Sequence, residues 1–172
     1  DVSAVKACNT VLLRKNLRAG KNTDISAAMR VLKLGLELDL EQKRSLTGLK
    51  ALVLGGGGVS KAIAWGLQQE GARVFISARN KQQADVIAAD LKIESLEWET
   101  RQNFSGDIVI NGTPVGMFPN MNETPFPADA LREGMVVFDT IYNPQNTLLI
   151  KQAREAGCRV VFGSDMFVEQ AA

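Results

Sequence analysis

Residues Gly55, Gly56, Gly57 and Gly58 follow the short apolar run Ala51-Leu52-Val53-Leu54 and lead into Val59-Ser60-Lys61-Ala62, a small-residue helical pattern. Main-chain amides that carry no Cβ can approach a diphosphate closely, and the start of a helix adds free N–H donors and a partial positive charge. The spacing Gly55-x-Gly57-x-x-Ser60 departs from the dinucleotide fingerprint only at its last position, where Ser replaces Gly or Ala. A glycine run can also be a plain flexible loop. Here it lies between a strand pattern and a helix pattern, which is the context that phosphate binding requires.

The second chemical signal lies at the end of the next strand, Phe75-Ile76-Ser77-Ala78-Arg79-Asn80-Lys81. A fold of this kind that reads an unmodified ribose places an acid about twenty residues after the glycines. No acid stands here, and the segment carries Arg79 and Lys81 instead. A guanidinium forks onto a 2′-phosphate, so the expected cofactor is NADP rather than NAD. The competing reading is that two exposed basic side chains merely solvate a loop.

Composition bounds the remaining chemistry. The 172 residues are 45% hydrophobic, enough for one sizeable core, and the net charge of +1 steers the chain to neither nucleic acid nor anionic membrane. There is no histidine, which excludes imidazole mechanisms within this chain. Cys8 and Cys158 have no metal-ligand spacing; they read as reduced thiols of a cytoplasmic protein, with one disulfide between them left open. No apolar run reaches the length of a membrane span. The chain opens at Asp1 without Met and is expected to be a piece of a longer protein.

The elements that must position these groups alternate from Lys50 onward. Strands are predicted at 50–54, 73–77, 93–99, 107–111, 135–139 and 159–162. Helices are predicted at 58–70, 80–90, 144–156 and 166–172, with Gly71 and Gly157 as stops. Alternation of this kind implies right-handed crossovers and a doubly wound, mostly parallel α/β sheet with helices on both faces. Ahead of it, Val11-Leu12-Leu13 reads as a strand followed by a basic turn over 14–20. Ile25, Ala28, Met29, Leu32 and Leu36 form one face of a helix, and residues 37–48 read as a linker. By residue type Asp24 is a helix cap, Asn9 a turn residue, Tyr142 and Met166 core residues, and Gln170 part of a frayed end. Asp139 ends a strand on the side where such sheets bind ligands.

Five segments resemble the shikimate dehydrogenase family over nearly the whole chain. They are Lys6-Ala7-Cys8-Asn9-Thr10, Gly20-Lys21-Asn22-Thr23-Asp24, the loop from Gly55 to Ala62, Asn111-Gly112-Thr113-Pro114-Val115-Gly116-Met117, and Tyr142-Asn143-Pro144 together with Gly163-Ser164-Asp165-Met166 and Gln170-Ala171. The resemblance implies hydride transfer between NADP and C3 of shikimate, in aromatic amino acid biosynthesis. It gives Asp24 as one half of a Lys–Asp catalytic pair, and Asn9, Tyr142 and Gln170 as substrate contacts. For the cofactor it gives Gly55, Gly56, Gly57, Gly58, Val59, Ser77, Arg79, Asn80, Lys81, Thr113, Met117, Gly163 and Met166. No metal is implied.

It also implies four parts: the end of a substrate domain over 1–24, a hinge helix and linker over 25–45, the NADP-binding domain over 46–162, and a helix over 163–172 returning to the cleft. The partner of this chain would be the rest of that substrate domain. The family's lysine lies upstream of the segment matched by 6–10, so this chain alone is expected to bind cofactor without efficient turnover. Ile25-Ser26-Ala27 replaces the family's Gly-x-Gly after Asp24, and Lys6 and Cys8 replace Gly and Val. The rival readings are an NAD-using quinate/shikimate dehydrogenase and a non-catalytic, dehydrogenase-like ligand sensor.

Overall fold

A computed structural model describes Val5 and residues 8–14, 17–36 and 46–171 of the chain. Strands β1 (Thr10–Arg14) and β2 (Leu17–Lys21) form an antiparallel ribbon. Of the basic turn expected over 14–20, Arg14 lies in β1 and residues 17–20 lie in β2, where the ladder bonds between the two strands support one another. Helix α1 (Thr23–Gly35) follows. Residues 37–45 of the expected linker, and residues 1–4, 6–7 and 15–16 of the expected substrate-domain segment over 1–24, lie outside the described residues.

Six strands then build one parallel sheet: β3 (Lys50–Leu54), β4 (Arg73–Ser77), β5 (Glu94–Ser95), β6 (Ile108–Asn111), β7 (Val136–Asp139) and β8 (Arg159–Phe162). Their spatial order is β5-β4-β3-β6-β7-β8. The chain therefore winds outward from β3 in one direction and from β6 in the other, so adjacent crossovers diverge between these two strands. This leaves a crevice above their C-terminal ends. The connections are α2 (Gly58–Gln69), α3 (Lys81–Leu91) and α4 (Leu148–Glu155), with α5 (Gly163–Ala171) after β8.

Both sheet faces are covered, so the strands read as continuous apolar runs rather than as alternations. Ala51, Val53, Ile76, Ile110 and Phe138 pack with side chains of α1, α2, α3 and α5 on one face. Leu52, Leu54, Phe75, Val109 and Val137 pack with Phe104, Phe126 and side chains of α4 on the other.

Three expected elements are shorter or displaced. The strand over 93–99 has only Glu94–Ser95, because residues 98–103 coil into a 3₁₀ turn with the Arg101 guanidinium 4.0 Å from the Trp98 ring centre. The helix expected from Pro144 starts at Leu148, where Thr147 Oγ1 accepts from Ile150 N (3.3 Å). The last helix begins three residues early, at Gly163. Cys8 is exposed and Cys158 buried, and both are free thiols, so the open disulfide is excluded. Among the described residues no helix is long and apolar enough to cross a membrane.

Candidate nucleotide and substrate site

The glycine loop divides its work between strain and access. Gly55 has φ +117°, a conformation that L side chains rarely adopt. A Cβ there would lie 2.6 Å from Ser60 Oγ and 2.8 Å from Gly112 O. Ser60 is fully buried and donates to Gly112 O (3.2 Å), which holds α2 against the ends of β3 and β6. Ser thus serves the close-packing role of the fingerprint's third small residue. Gly57 and Gly58 are different: nothing lies within 4 Å of a Cβ built on either. Gly57 is the N-cap of α2 and supplies no side-chain acceptor. The start of α2 therefore has no side-chain cap and open space around Gly57 and Gly58, an arrangement that fits a diphosphate.

A cavity of about 460 Å³ runs from this loop to the tip of β4, lined by Gly55, Gly56, Gly57, Ala78, Arg79, Asn80, Gln83, Gly112, Thr113 and Pro114. Arg79 is exposed and is the only charged residue in this lining. Asn80 points its side chain into the start of α3, accepting from Gln83 N (3.3 Å). Gln83, which sequence reasoning missed, touches the loop directly, since a Cβ on Gly56 would lie 2.9 Å from Gln83 Cβ. Its position three residues past a capping Asn on a helix was the available signal.

Two expected cofactor contacts lie elsewhere. Lys81 does not line the cavity. Its ammonium pairs with Asp85 on the next turn of α3, contacts Ser95 Oγ at 2.9 Å, and lies 3.5 Å from Glu97. These acidic partners push its pKa up and hold it on the outer side of α3. Ser77 is fully buried and its hydroxyl finds no hydrogen-bond partner among the described residues. It meets the loop only through its carbonyl, which accepts from Gly55 N (2.8 Å).

The trough continues past Thr113 and Pro114 into a hollow of about 280 Å³ that adds Met117, Phe118, Thr140, Ile141, Tyr142 and Asn143. Thr140 and Tyr142 are shared with a further hollow of about 190 Å³, lined also by Asp24, Val59, Gly163, Met166, Phe167 and Gln170. Arg79 and Asp24 thus stand at opposite ends of one discontinuous groove along the strand ends. Gly163 lets α5 pass against β7, where a Cβ would collide with Thr140 O. A separate hollow of about 500 Å³ between α1 and α2, lined by Met29, Lys33 and Trp65 among others, lies away from the strand ends.

Asp24 is not the cap of its helix. Asn22 is, accepting from Asp24 N (3.0 Å), which frees the Asp24 carboxylate for the groove. Asp24 Oδ1 accepts from Gln170 Nε2 (2.6 Å) and Asn9 Nδ2 (3.0 Å). Partial burial pushes its pKa up against these two bonds. Asn9 Oδ1 accepts from Thr23 N (3.0 Å), so one side chain ties the ribbon, α1 and the acid together. Gln170, expected to fray, is fixed by its bond to Asp24. Tyr142 is exposed and stacks on Phe167 with ring centres 5.3 Å apart, so it is not a core residue. Met166 is buried beneath them. The sequence-predicted substrate set Asn9, Asp24, Tyr142 and Gln170 is thus gathered within one end of the groove.

A family model described as NADP oxidoreductase, coenzyme F420-dependent, matches residues 50–142, more than half of the chain. A protein of Caldicellulosiruptor bescii named shikimate dehydrogenase (NADP(+)) is 39% identical over 179 residues, covering 99% of this chain and 59% of its own length. A crystal structure of a shikimate dehydrogenase with NADP+ superposes with a TM-score of 0.87 at 27% identity, covering 99% of this chain and 60% of its own. A Listeria monocytogenes shikimate 5-dehydrogenase solved with shikimate and NAD gives a TM-score of 0.87 at 28% identity, covering 99% and 62%. The chain therefore spans about 60% of the length of these relatives.

Proposed function

Because the chain belongs to the shikimate dehydrogenase family, with the NADP-oxidoreductase unit over residues 50–142 at its centre, we propose that it is the NADP-binding portion of an NADP-dependent shikimate dehydrogenase. The observation that carries the reading is the glycine cradle open at Gly57 and Gly58, with one guanidinium, Arg79, as the charged group among the described residues that line the cavity beside it. The α2 amides hold the diphosphate, and Arg79 forks onto the 2′-phosphate. Asn80 and Gln83 enclose the adenosine half, and Thr113 and Pro114, which line both this cavity and the next hollow, flank the nicotinamide. Gly56 and Val59 stay close to the diphosphate, while Met117, Gly163 and Met166 bound the far end. When bound, NADP supplies the acceptor for the hydride leaving C3 of shikimate.

At that far end Asp24, Asn9, Gln170 and Tyr142 hold the hydroxyl groups of the substrate. The alcohol must also lose a proton, and these 172 residues contain no histidine for this. Asp24 orients the reacting hydroxyl and pairs with a lysine contributed by the substrate domain outside this chain. Residues 1–24 then form the near edge of that domain, 25–45 its hinge, 46–162 the cofactor domain, and 163–172 the helix that closes the groove. The pairing partner is the remainder of the same protein, and the compartment is the cytoplasm, consistent with two unpaired thiols. An NAD-using quinate/shikimate dehydrogenase is disfavoured by the absence of an acid in the lining around Arg79.

The test is NADPH formation from shikimate in the full-length protein. Asp24→Asn is expected to lower kcat by about 100-fold or more, and the 172-residue chain alone is expected to bind NADP without turnover. Full activity in the Asp24→Asn enzyme overturns the assignment.

A further inference from the structure

A buried carboxylate outside the substrate set links the two loops that frame the middle of the groove. Asp139 ends β7 and is 1% exposed. Its Oδ1 accepts from Asn111 Nδ2 (3.0 Å) and from Ile141 N (3.1 Å). Its Oδ2 accepts from Thr147 Oγ1 (2.6 Å), whose oxygen caps α4.

Asn111 passes the constraint on. Its Oδ1 accepts from Thr113 N (2.9 Å) and Thr113 Oγ1 (2.7 Å), and its Nδ2 also donates to Val115 O (3.2 Å). Thr113 Oγ1 then accepts from Val115 N (3.1 Å). The turn 113–115 is therefore built on one amide side chain, and that amide is anchored on Asp139. On the other side, Ile141 N fixes the segment that leads into Tyr142. Thr113 and Pro114 line both the cavity beside Arg79 and the middle hollow, where Thr140, Ile141 and Tyr142 also contribute to the lining.

We infer that Asp139 is a positioning residue for the nicotinamide half of the dinucleotide: acting through Asn111 and Ile141, it sets the gap between the 113–115 turn and the 140–142 segment. This rests on the nucleotide reading above. It goes beyond that reading in assigning the placement of one half of the ligand to a group that touches neither ligand nor substrate. A carboxylate in place of an apolar side chain is costly to bury. The same atoms spent on three donors in two loops and one helix cap give a fixed geometry in return. Asp139→Asn keeps an oxygen for Asn111 and Ile141 and can turn its amide toward Thr147 Oγ1, which accepts equally well. Asp139→Ala leaves one N–H of Asn111, the N–H of Ile141 and the Thr147 hydroxyl without the acceptor they have in the wild type.

The experiment compares the wild-type chain with Asp139→Ala, Asp139→Asn and Thr147→Val, measuring affinity for NADP+ and for 2′,5′-ADP, which carries only the adenosine half. A second readout is amide hydrogen exchange of Thr113, Val115 and Ile141 in the unliganded chain. Asp139→Ala is expected to weaken NADP+ about tenfold, to leave 2′,5′-ADP unchanged, and to speed exchange at all three amides. Asp139→Asn is expected to restore both readouts. Thr147→Val, which removes the hydroxyl that caps α4 and its bond to Asp139 Oδ2 but leaves Oδ1 on Asn111 and Ile141, is expected to lower Tm while leaving the affinity ratio at its wild-type value. If Asp139→Ala does not fold, Asn111→Leu carries the same expectation.

Equal weakening of both nucleotides, or unchanged exchange at Thr113 and Val115 in a folded Asp139→Ala or Asn111→Leu chain, overturns the inference. Failure of the wild-type chain to bind either nucleotide overturns the functional reading instead, and the exchange data then decide the positioning role independently.

Discussion

Arg79 is exposed at the tip of β4, and the cavity beside it holds no other charge. Hydrogen bonds to a charged group contribute more than neutral ones, so Arg79→Ala is expected to weaken NADP+ by about 10–100-fold while leaving NAD+ within about twofold. Competitive titration of the two nucleotides checks this. Lys81→Ala, by contrast, is expected to change neither affinity, because its ammonium is already held by Asp85, Ser95 and Glu97.

Asp139 has a separate signature in stability. Burial pushes its pKa from 3.8 to about 6 despite three hydrogen bonds. Between these values the folded chain keeps a proton that the unfolded chain has released. Folding stability from this group is therefore present below about pH 4 and lost as pH rises to about 6, by about 3 kcal/mol in all. Urea unfolding of wild type and Asp139→Asn at pH 4 and pH 7 should show the wild type losing ground relative to the variant as pH rises. Parallel pH dependence in the two chains contradicts the buried carboxylate.

At the scale of elements, the loop between β3 and α2 separates strain from access. Gly55→Ala puts a side chain at φ +117° against Ser60 Oγ and Gly112 O, and is expected to cost about 2 kcal/mol or more of stability. Gly57→Ala has room for its Cβ and an ordinary φ of −89°, so it should melt with wild-type Tm yet bind NADP+ at least about tenfold more weakly. Thermal melts paired with titrations distinguish the two.

The existence of this loop and of the flanking strand and helix was legible because an apolar run, four glycines and a small-residue helix follow one another without a gap. Lys81 was read as a phosphate contact because position along the chain does not reveal which side of a helix turn an ammonium takes. The acid four residues later, Asp85, was the clue to an i,i+4 pair. The short β5 was overread because alternation in Ile93 to Glu99 says nothing of the 3₁₀ turn that Trp98 and Arg101 stabilise. Asp24 was read as a cap because Asn22 and Asp24 are both good caps, and only geometry shows that Asn22 takes the role.

On the scale of the whole molecule, the divergence of crossovers between β3 and β6 creates the groove, and everything assigned a role lies along it. The doubly wound class follows from alternation and crossover handedness, both visible in sequence, whereas the order of the six strands comes from the structure. The joining of the two ends is expected only from the family resemblance and from no local pattern: Asn9 and Gln170 meet on Asp24, with Gln170 and Asp24 146 residues apart. That convergence needs the ribbon, α1 and α5 to pack together, a long-range outcome that no local pattern encodes. The Asn111–Asp139 link is of the same kind, spanning two adjacent parallel strands through side chains that both read simply as strand ends.

The most direct measurement is calorimetric titration of the purified chain with NADP+ and with NAD+ at the same ionic strength. The account predicts saturable binding of NADP+, with NAD+ weaker by about tenfold or more and that gap closed by Arg79→Ala. No binding of either nucleotide, or equal affinity for both in the wild-type chain, contradicts it.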